Sequence, residues 1–468
     1  MRSTLFAAFF QDDWKATRKL TLNLGIRYEL NTPLADIYGR NANVDFIYGS
    51  GRAAVVLPGN TGPVTGRKYD NATYLGDYNN IAPRFGFAYR PFNDGKTVVR
   101  GGYGIFYSLS VGQMFTFQAQ NPPRIVNDVF TAVFPAPSLT FENGFQLNNL
   151  NPSGIVSVRA MEYQRRDPYI QQWDFTLQRQ LTGDFAVEAA YVGTKGTKLP
   201  RSDIINSPRP GPGAIQPRRP FQGFATFFVR EARMTSIYHA LQLKADKRFS
   251  RSHSFLASYT FSKSIDTGSA SFGGGGNSSD NAQDSDNIKA ERGRSAQDAR
   301  QLLTLSYILE IPWLKRNPVV GGWQLAGITA FRTGFSQSVM VGADRCNCDR
   351  AARMRADVVP GVAWPSNNPT PELFFNIGAF RLPELYTFGN SGRGIVDTPG
   401  RQQVDMSLQK NFRGLFEGHR VQFRWELFNM LNHTNLGTPN MSVDNRNFGR
   451  ITSAAAARQM QFGLRSEF

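Results

Sequence analysis

The chain has 468 residues, with 53 Lys and Arg against 36 Asp and Glu, a formal net charge of +17. Hydrophobic residues make up 41% and aromatic ones 13%, with 37 Phe and 16 Tyr, too much ring surface for a disordered chain. No stretch approaches about 18 consecutive apolar residues, so a bundle of spanning helices is excluded; the mean hydropathy of −0.37 does not exclude a transmembrane β-barrel, which hides its lipid-facing residues at every second position.

The N-terminus reads MRSTLFAAFFQDDW, and Gln11, Asp12 and Asp13 break its apolar stretch before any small-residue cleavage site, so it does not read as a signal peptide. From there apolar and polar residues alternate with period two along the chain. Leu20, Leu22, Leu24, Ile26, Tyr28 and Leu30 share one strand face, with Thr21, Asn23, Gly25, Arg27 and Glu29 opposite. Trp173, Phe175 and Leu177 alternate with Gln172, Asp174, Thr176 and Gln178; Val404, Met406 and Leu408 alternate with Gln403, Asp405, Ser407 and Gln409. Val421, Phe423, Trp425 and Leu427 oppose Gln422, Arg424 and Glu426, charges that a dry sandwich core would not hold unpaired and a wet lumen would.

About thirteen such segments are predicted, each near the ten residues that a tilted strand needs to cross an outer membrane. Their spans are 4–13, 19–30, 81–90, 97–107, 170–180, 184–194, 237–248, 253–263, 299–311, 322–333, 402–412, 419–430 and 457–468. Short links such as 16–18, 92–95, 182–183 and 250–252 alternate with long ones, including 109–169 and 334–401. That parity predicts an all-β fold: an antiparallel up-and-down transmembrane barrel occupying 1–468 as one domain, with short periplasmic turns and long extracellular loops. No Pro/Gly/Ser linker divides blocks of different composition. An odd strand number that starts on the long-loop side reads as the C-terminal portion of a longer barrel.

The last segment places Met460, Phe462, Leu464 and the terminal Phe468 on one face, interrupted by Ser466. Ending on an aromatic residue in this pattern resembles the signal by which the barrel-assembly machinery recognises its clients. Several stretches extend the resemblance: FFQDDWKATRKLTLNLGIRYE, NNIAPRFGFAYRPFNDGKTVVRGGYGIFYS from Asn79, PYIQQWDFTLQRQL from Pro168, and AYVGTKGTKL from Ala190. They continue in YHALQLKADKRFSRSHSFLASYTFSKSID from Tyr238, VQFRWELFNMLNHTNLGTPN from Val421, and FGRITS with ARQMQFGLRSEF at the end. In order and spacing these resemble the barrel of TonB-dependent outer-membrane receptors of the Oar-like group. The resemblance implies a barrel of 22 strands around an N-terminal plug, of which this chain would supply about thirteen strands. It also implies a TonB-type energy transducer as partner, acting through N-terminal parts outside this chain.

Other motifs are weaker. The basic residues sit in no recognition helix, RNP-type strand or zinc finger, so nucleic acid is not an expected partner. Arg27, Arg84, Lys244 and Arg424 fall on polar strand faces and line a lumen; neutralisation by Glu29, Glu188, Glu310, Asp405 and Glu426 is favoured over a cationic attractor. Gly273–Gly276 with Asn277-Ser278-Ser279 lacks the Gly-Lys-Ser/Thr of a phosphate loop, and Asp280, Asp284 and Asp286 lack the offsets of an EF-hand. Cys346 and Cys348 are either a tight disulfide or free thiols; with four scattered histidines they make no zinc pattern. No nucleophile elbow or acid/base set is present, so neither an enzyme nor a cofactor is expected.

Ligand contacts are expected on the two longest outer loops, which reach solvent first on a rigid scaffold. Tyr163, Arg165 and Arg166 in one, and Arg345, Arg350, Arg353, Arg355 and Trp364 in the other, join ring faces to forked donors suited to sugars, carboxylates or lipopolysaccharide phosphates. Two functions follow: uptake of a bulky, unidentified solute across the bacterial outer membrane, or a non-transport surface protein that uses the barrel as an anchor. Outer-membrane lipid and lipopolysaccharide are expected neighbours in either case.

Overall fold

The computed structural model describes residues 2–108, 117–125, 155–250, 252–269, 282–311, 321–350, 353–413 and 419–467. The glycine run Gly273–Gly276, the adjoining Asn277 to Asp280 and the terminal Phe468 lie outside these. One antiparallel sheet dominates. Its successive strands are β1 (Leu5–Trp14), β2 (Leu20–Asn31), β3 (Ile81–Tyr89), β4 (Thr97–Tyr107), β5 (Tyr169–Gln180), β6 (Phe185–Ile204) and β7 (Phe224–Ser250). They continue with β8 (His253–Asp266), β9 (Gln301–Glu310), β10 (Trp323–Arg332), β11 (Arg401–Arg413), β12 (Arg420–Phe428) and β13 (Gln459–Glu467). Each pairs with the next in sequence, so the path is a pure meander. All thirteen expected segments are strands.

The short connections carry the chemistry of tight turns. Between β3 and β4 the amide of Lys96 donates to the Asp94 carboxylate at 3.0 Å, and Gly95 takes φ +66, a conformation that costs glycine nothing because it lacks Cβ. Between β1 and β2 the amide of Leu20 donates to the Thr17 hydroxyl at 3.0 Å.

The register propagates one apolar face through the sheet. Leu22 lies opposite Phe87, which lies opposite Gly101; Phe175, Tyr191, Leu241 and Phe261 follow on successive strands. At the other end Phe423 lies opposite Leu464 and Trp425 opposite Phe462. Phe462 is 70% and Leu464 75% exposed. In water that would forfeit roughly 25 cal/mol for every Å² of each ring or branch; in an outer membrane it is the lipid contact.

Two strands exceed the span that alternation predicts. β6 runs on to Ile204 and β7 begins at Phe224, so the hairpin they form rises beyond the rest of the wall on the long-loop side. Register shifts fall between Ala232 and Met234 and between Met234 and Ser236, opposite Pro200 and the left-handed Lys198. A proline and bulges interrupt the period without ending the strand. Val156–Met161 adds to this projection, parallel to β7.

The buried apolar cores lie in the loops, because a wall one strand thick has lipid on one side and water on the other. Val44, Val158, Ala160, Phe221, Phe227 and Val229 form one core beneath the projecting hairpin. Val339, Val341, Met354, Phe375, Phe380 and Met441 belong to a larger one, in which Cys346 and Cys348 are also fully buried and joined as a disulfide. The thiol alternative left open by the sequence is thereby decided for the bridge.

Candidate functional site

The wall facing away from lipid is built by the polar half of each strand. Following the ladder, Arg27, Glu29, Arg84, Glu188, Lys244, Glu310, Asp405, Arg424 and Glu426 all fall on this one face. Cations and carboxylates meet there. Arg27 lies 2.5 Å from Glu29, Arg100 3.0 Å from Glu188, Lys244 3.5 Å from Asp246, Arg424 3.5 Å from Glu426 and Arg465 2.7 Å from Glu467. Arg84 stacks over Phe106 of the same face, 4.6 Å from the ring centroid. The lumen wall is therefore zwitterionic, and these pairs leave little of the chain's cationic excess on it.

This face also holds an apolar recess that simple alternation hides. Leu256, Ile308, Ile328 and Phe428 line a hollow of about 560 Å³, rimmed by Asp246, Asp405 and Glu426. Ile328 stands across from Asp405, and Leu256 across from both Asp246 and Ser306. The signal in sequence is the doublets Leu302-Leu303 and Ile308-Leu309, which put apolar residues on both faces of β9.

Above the wall the loops interlock into a canopy held by buried ion pairs. Glu291 takes both oxygens to Arg355 Nη1, at 2.9 and 2.8 Å, while Arg355 Nε donates to the Ser391 carbonyl. Arg201 lies 2.7 Å from Asp203, both fully buried; Arg294 joins Asp298 and Asp397 at 2.8 Å; Arg393 pairs with Asp266. Arg350 donates to the carbonyls of Ala282 and Ile204 and to the Ser285 hydroxyl, and burial pushes its guanidinium down to about 10. In the first long loop, Arg40 holds the Asp36 carboxyl down at about 2 through a side-chain hydrogen bond, and burial pushes Tyr74 up to about 12.

These contacts separate the expected ligand residues. Arg165, Arg350 and Arg355 are 6%, 2% and 5% exposed. They correct the expectation of solvent-reaching cations, since desolvated guanidinium groups must bond within the protein: Arg350 and Arg355 tie loops together, and Arg165 lies 3.3 Å from Asp167. Arg353 and Trp364 are half-buried, Trp364 donating to the Ile395 carbonyl at 3.1 Å beside Phe380. Tyr163 and Arg345 are half-buried as well, and Arg166 is the exposed one. The Tyr163 ring meets Tyr69 at a tilt of 58° beneath Arg67, Arg166 has Nη1 2.7 Å from Asp77, and Arg345 donates to the Pro383 carbonyl. The structure does not bring the two groups into a single cluster of contacts.

A family model described as outer membrane beta barrel domain matches residues 1–461. The chain belongs to this family. Its place is the bacterial outer membrane, and the barrel resemblance read from the sequence is borne out. Among solved structures, it is similar to the outer membrane transporter YddB from Escherichia coli at 12% identity and a TM-score of 0.53, over 99% of this chain and 45% of that one. It is also similar to the FrpB iron transporter from Neisseria meningitidis (F5-1 variant), at 10% identity and a TM-score of 0.46, again over 99% of this chain and 45% of that one. The chain thus spans less than half the length of these structures. No curated protein sequence matches it.

Proposed function

We propose that the chain is the wall and loop canopy of a TonB-dependent outer-membrane transporter, importing a bulky solute with energy from the inner membrane. The observation that carries this reading is the two-faced wall: an apolar face for lipid backs a charged, internally neutralised face suited to water and a passing solute. A neutralised lumen does not trap one charge sign, so selectivity falls to the canopy, where Tyr163, Arg166, Arg345, Arg353 and Trp364 offer rings and donors. The fold shared with an outer membrane transporter supports the same reading. The transducer acts through segments that the family resemblance places before the barrel.

The test compares cells with and without the full-length gene for uptake of carbohydrates, peptides and metal chelates, with and without an active energy transducer. Loss of one solute class, dependent on the transducer, supports transport. Unchanged uptake of every class together with loss of surface attachment supports the anchoring alternative instead.

A further inference from the structure

On the lumen face of β3 to β6 a second hollow opens, of about 370 Å³, within the roughly 300–1,000 Å³ of small-molecule sites. Its floor is the bare backbone of Gly102 and Gly104 in β4, which have no side chain to fill it. The register sets four polar residues around this floor. Arg84 lies opposite Gly104 on one side and Gln172 on the other, Asp174 lies opposite Gly102, and Thr194 lies opposite Gln172. Arg84 is three residues from the loop end of β3, and Gln172 three from the loop end of β5. Long loops mark the extracellular side, so the hollow lies in the outer half of the lumen, on wall that a solute meets after the canopy.

Neither charge in it is neutralised. Arg84 and Asp174 are exposed, and among the described residues neither side chain has an ion pair or a hydrogen bond; Arg84 has the Phe106 ring, whose centroid is 4.6 Å from its Cζ. Elsewhere on this face Arg27 has Glu29, Lys244 has Asp246 and Arg424 has Glu426. The two charges share one hollow without meeting. Asp174 Oδ1 sits over Gly102, 3.2 Å from where a Cβ would stand; Arg84 and the Phe106 ring lie over Gly104, where a Cβ would meet ring carbon at 3.0 Å. Two to four residues of β4 separate the charged heads, about 7–13 Å at the rise of a strand. Two charge-assisted contacts of about 3 Å each leave up to about 7 Å between a ligand's own charges, the reach of one or two residues of extended chain.

We infer that this hollow binds a zwitterion with free termini, an α-amino acid or a dipeptide. Arg84 takes the carboxylate with its forked donors and Asp174 takes the ammonium, while Gln172 and Thr194 meet the polar groups between. A zwitterion satisfies both charges at once, whereas a solute of one sign leaves one of them facing its like. The inference rests on the reading of the lumen as the solute path and names the class of solute.

The experiment measures binding of radiolabelled alanine and dialanine to the full-length receptor in nanodiscs by equilibrium dialysis, with N-acetyl-dialanine and dialanine amide as probes that lack one charge. Wild type should bind a zwitterion more tightly than either blocked peptide, and the tighter of the two zwitterions fixes the ligand's length. R84Q and D174N should each weaken zwitterion binding about tenfold or more, with heat-modifiable barrel migration unchanged. R84Q should leave binding of the amide unchanged, and D174N that of the acetylated peptide, because each blocked peptide already lacks the contact removed. Absence of zwitterion binding to wild type, or binding that neither variant weakens, overturns the assignment. Transducer-dependent uptake of another solute class without zwitterion binding overturns this inference and leaves the transport reading standing; zwitterion binding with these signatures but no transducer-dependent uptake supports the site and overturns transport.

Discussion

Replacing Glu291 by Gln strips the charge partner from Arg355 at the centre of the canopy. Both side chains are about 95% buried, with relative exposures of 5% and 6%. Arg355 keeps its Nε bond to the Ser391 carbonyl, and its backbone amide keeps the Gln283 side chain. Breaking a buried pair by removing one partner costs about 3–5 kcal/mol, because the remaining charge stays desolvated; the surviving carbonyl contact argues for the lower end, about 3 kcal/mol. That shifts the local opening equilibrium more than about a hundredfold. Hydrogen exchange should show this in the amides of Ala356 and Ser391, which are bonded across the canopy to Val339 and Ala356. The strands β9 to β12 should keep their protection. The double variant E291L/R355M, which removes both charges, should recover most of the loss. Unchanged exchange at Ala356 in the single variant, or equal opening in the double, would refute the claim that buried pairing holds the canopy closed.

Further outcomes follow from the same geometry. Deleting Phe468 from the full-length protein should reduce the yield of heat-modifiable barrel more than R166Q does; equal yields would remove the terminal aromatic from assembly. The Asp36 carboxyl is held down at about 2 by Arg40, below the ordinary value near 3.9. Its contribution is therefore complete above about pH 4 and lost as the pH falls through about 2. Exchange of the Arg40 amide, which donates to Asp36 at 2.7 Å, should accelerate across that window in the native protein and be fast throughout in Asp36→Asn. R166Q should weaken solute binding more at low salt than at high salt, whereas R350Q should open the canopy; binding untouched by R166Q at both salts would take Arg166 out of capture.

The strands were legible because alternation is a local property: Val421 to Leu427 announce a two-faced wall without reference to any other residue. Loop parity then supplied the meander. The projecting parts of β6 and β7 were not legible, since Pro200, left-handed Lys198 and the bulges break the period that signals a strand. The canopy arginines were misread for a different reason. Arg355 and Glu291 are 64 residues apart, and Arg350 reaches carbonyls of Ala282 and Ile204; a single sequence shows a cation in a loop but not the carboxylate or carbonyl that folding brings to it. Inner-wall residues Leu256 and Ile308 were concealed by Ser254, Ser258, Ser306 and Glu310 on the same face, and the doublets Phe255-Leu256 and Ile308-Leu309 are the signal that betrays them.

The central claim is that one sheet separates lipid from water. It is tested most directly by single spin labels placed at successive positions from Val404 to Gln409 on β11 and from Val421 to Leu427 on β12, in the full-length protein reconstituted in bilayers. Collision with oxygen should peak at Val404, Met406, Leu408, Val421, Phe423, Trp425 and Leu427, and collision with a water-soluble nickel chelate at Asp405, Ser407, Gln409, Gln422, Arg424 and Glu426. The register already places these two sets on opposite faces. Alternation of the two signals in antiphase, with period two, is the predicted result; loss of that period, or poor access of both reagents to Met406 and Phe423 as in a closed two-sheet core, would contradict it.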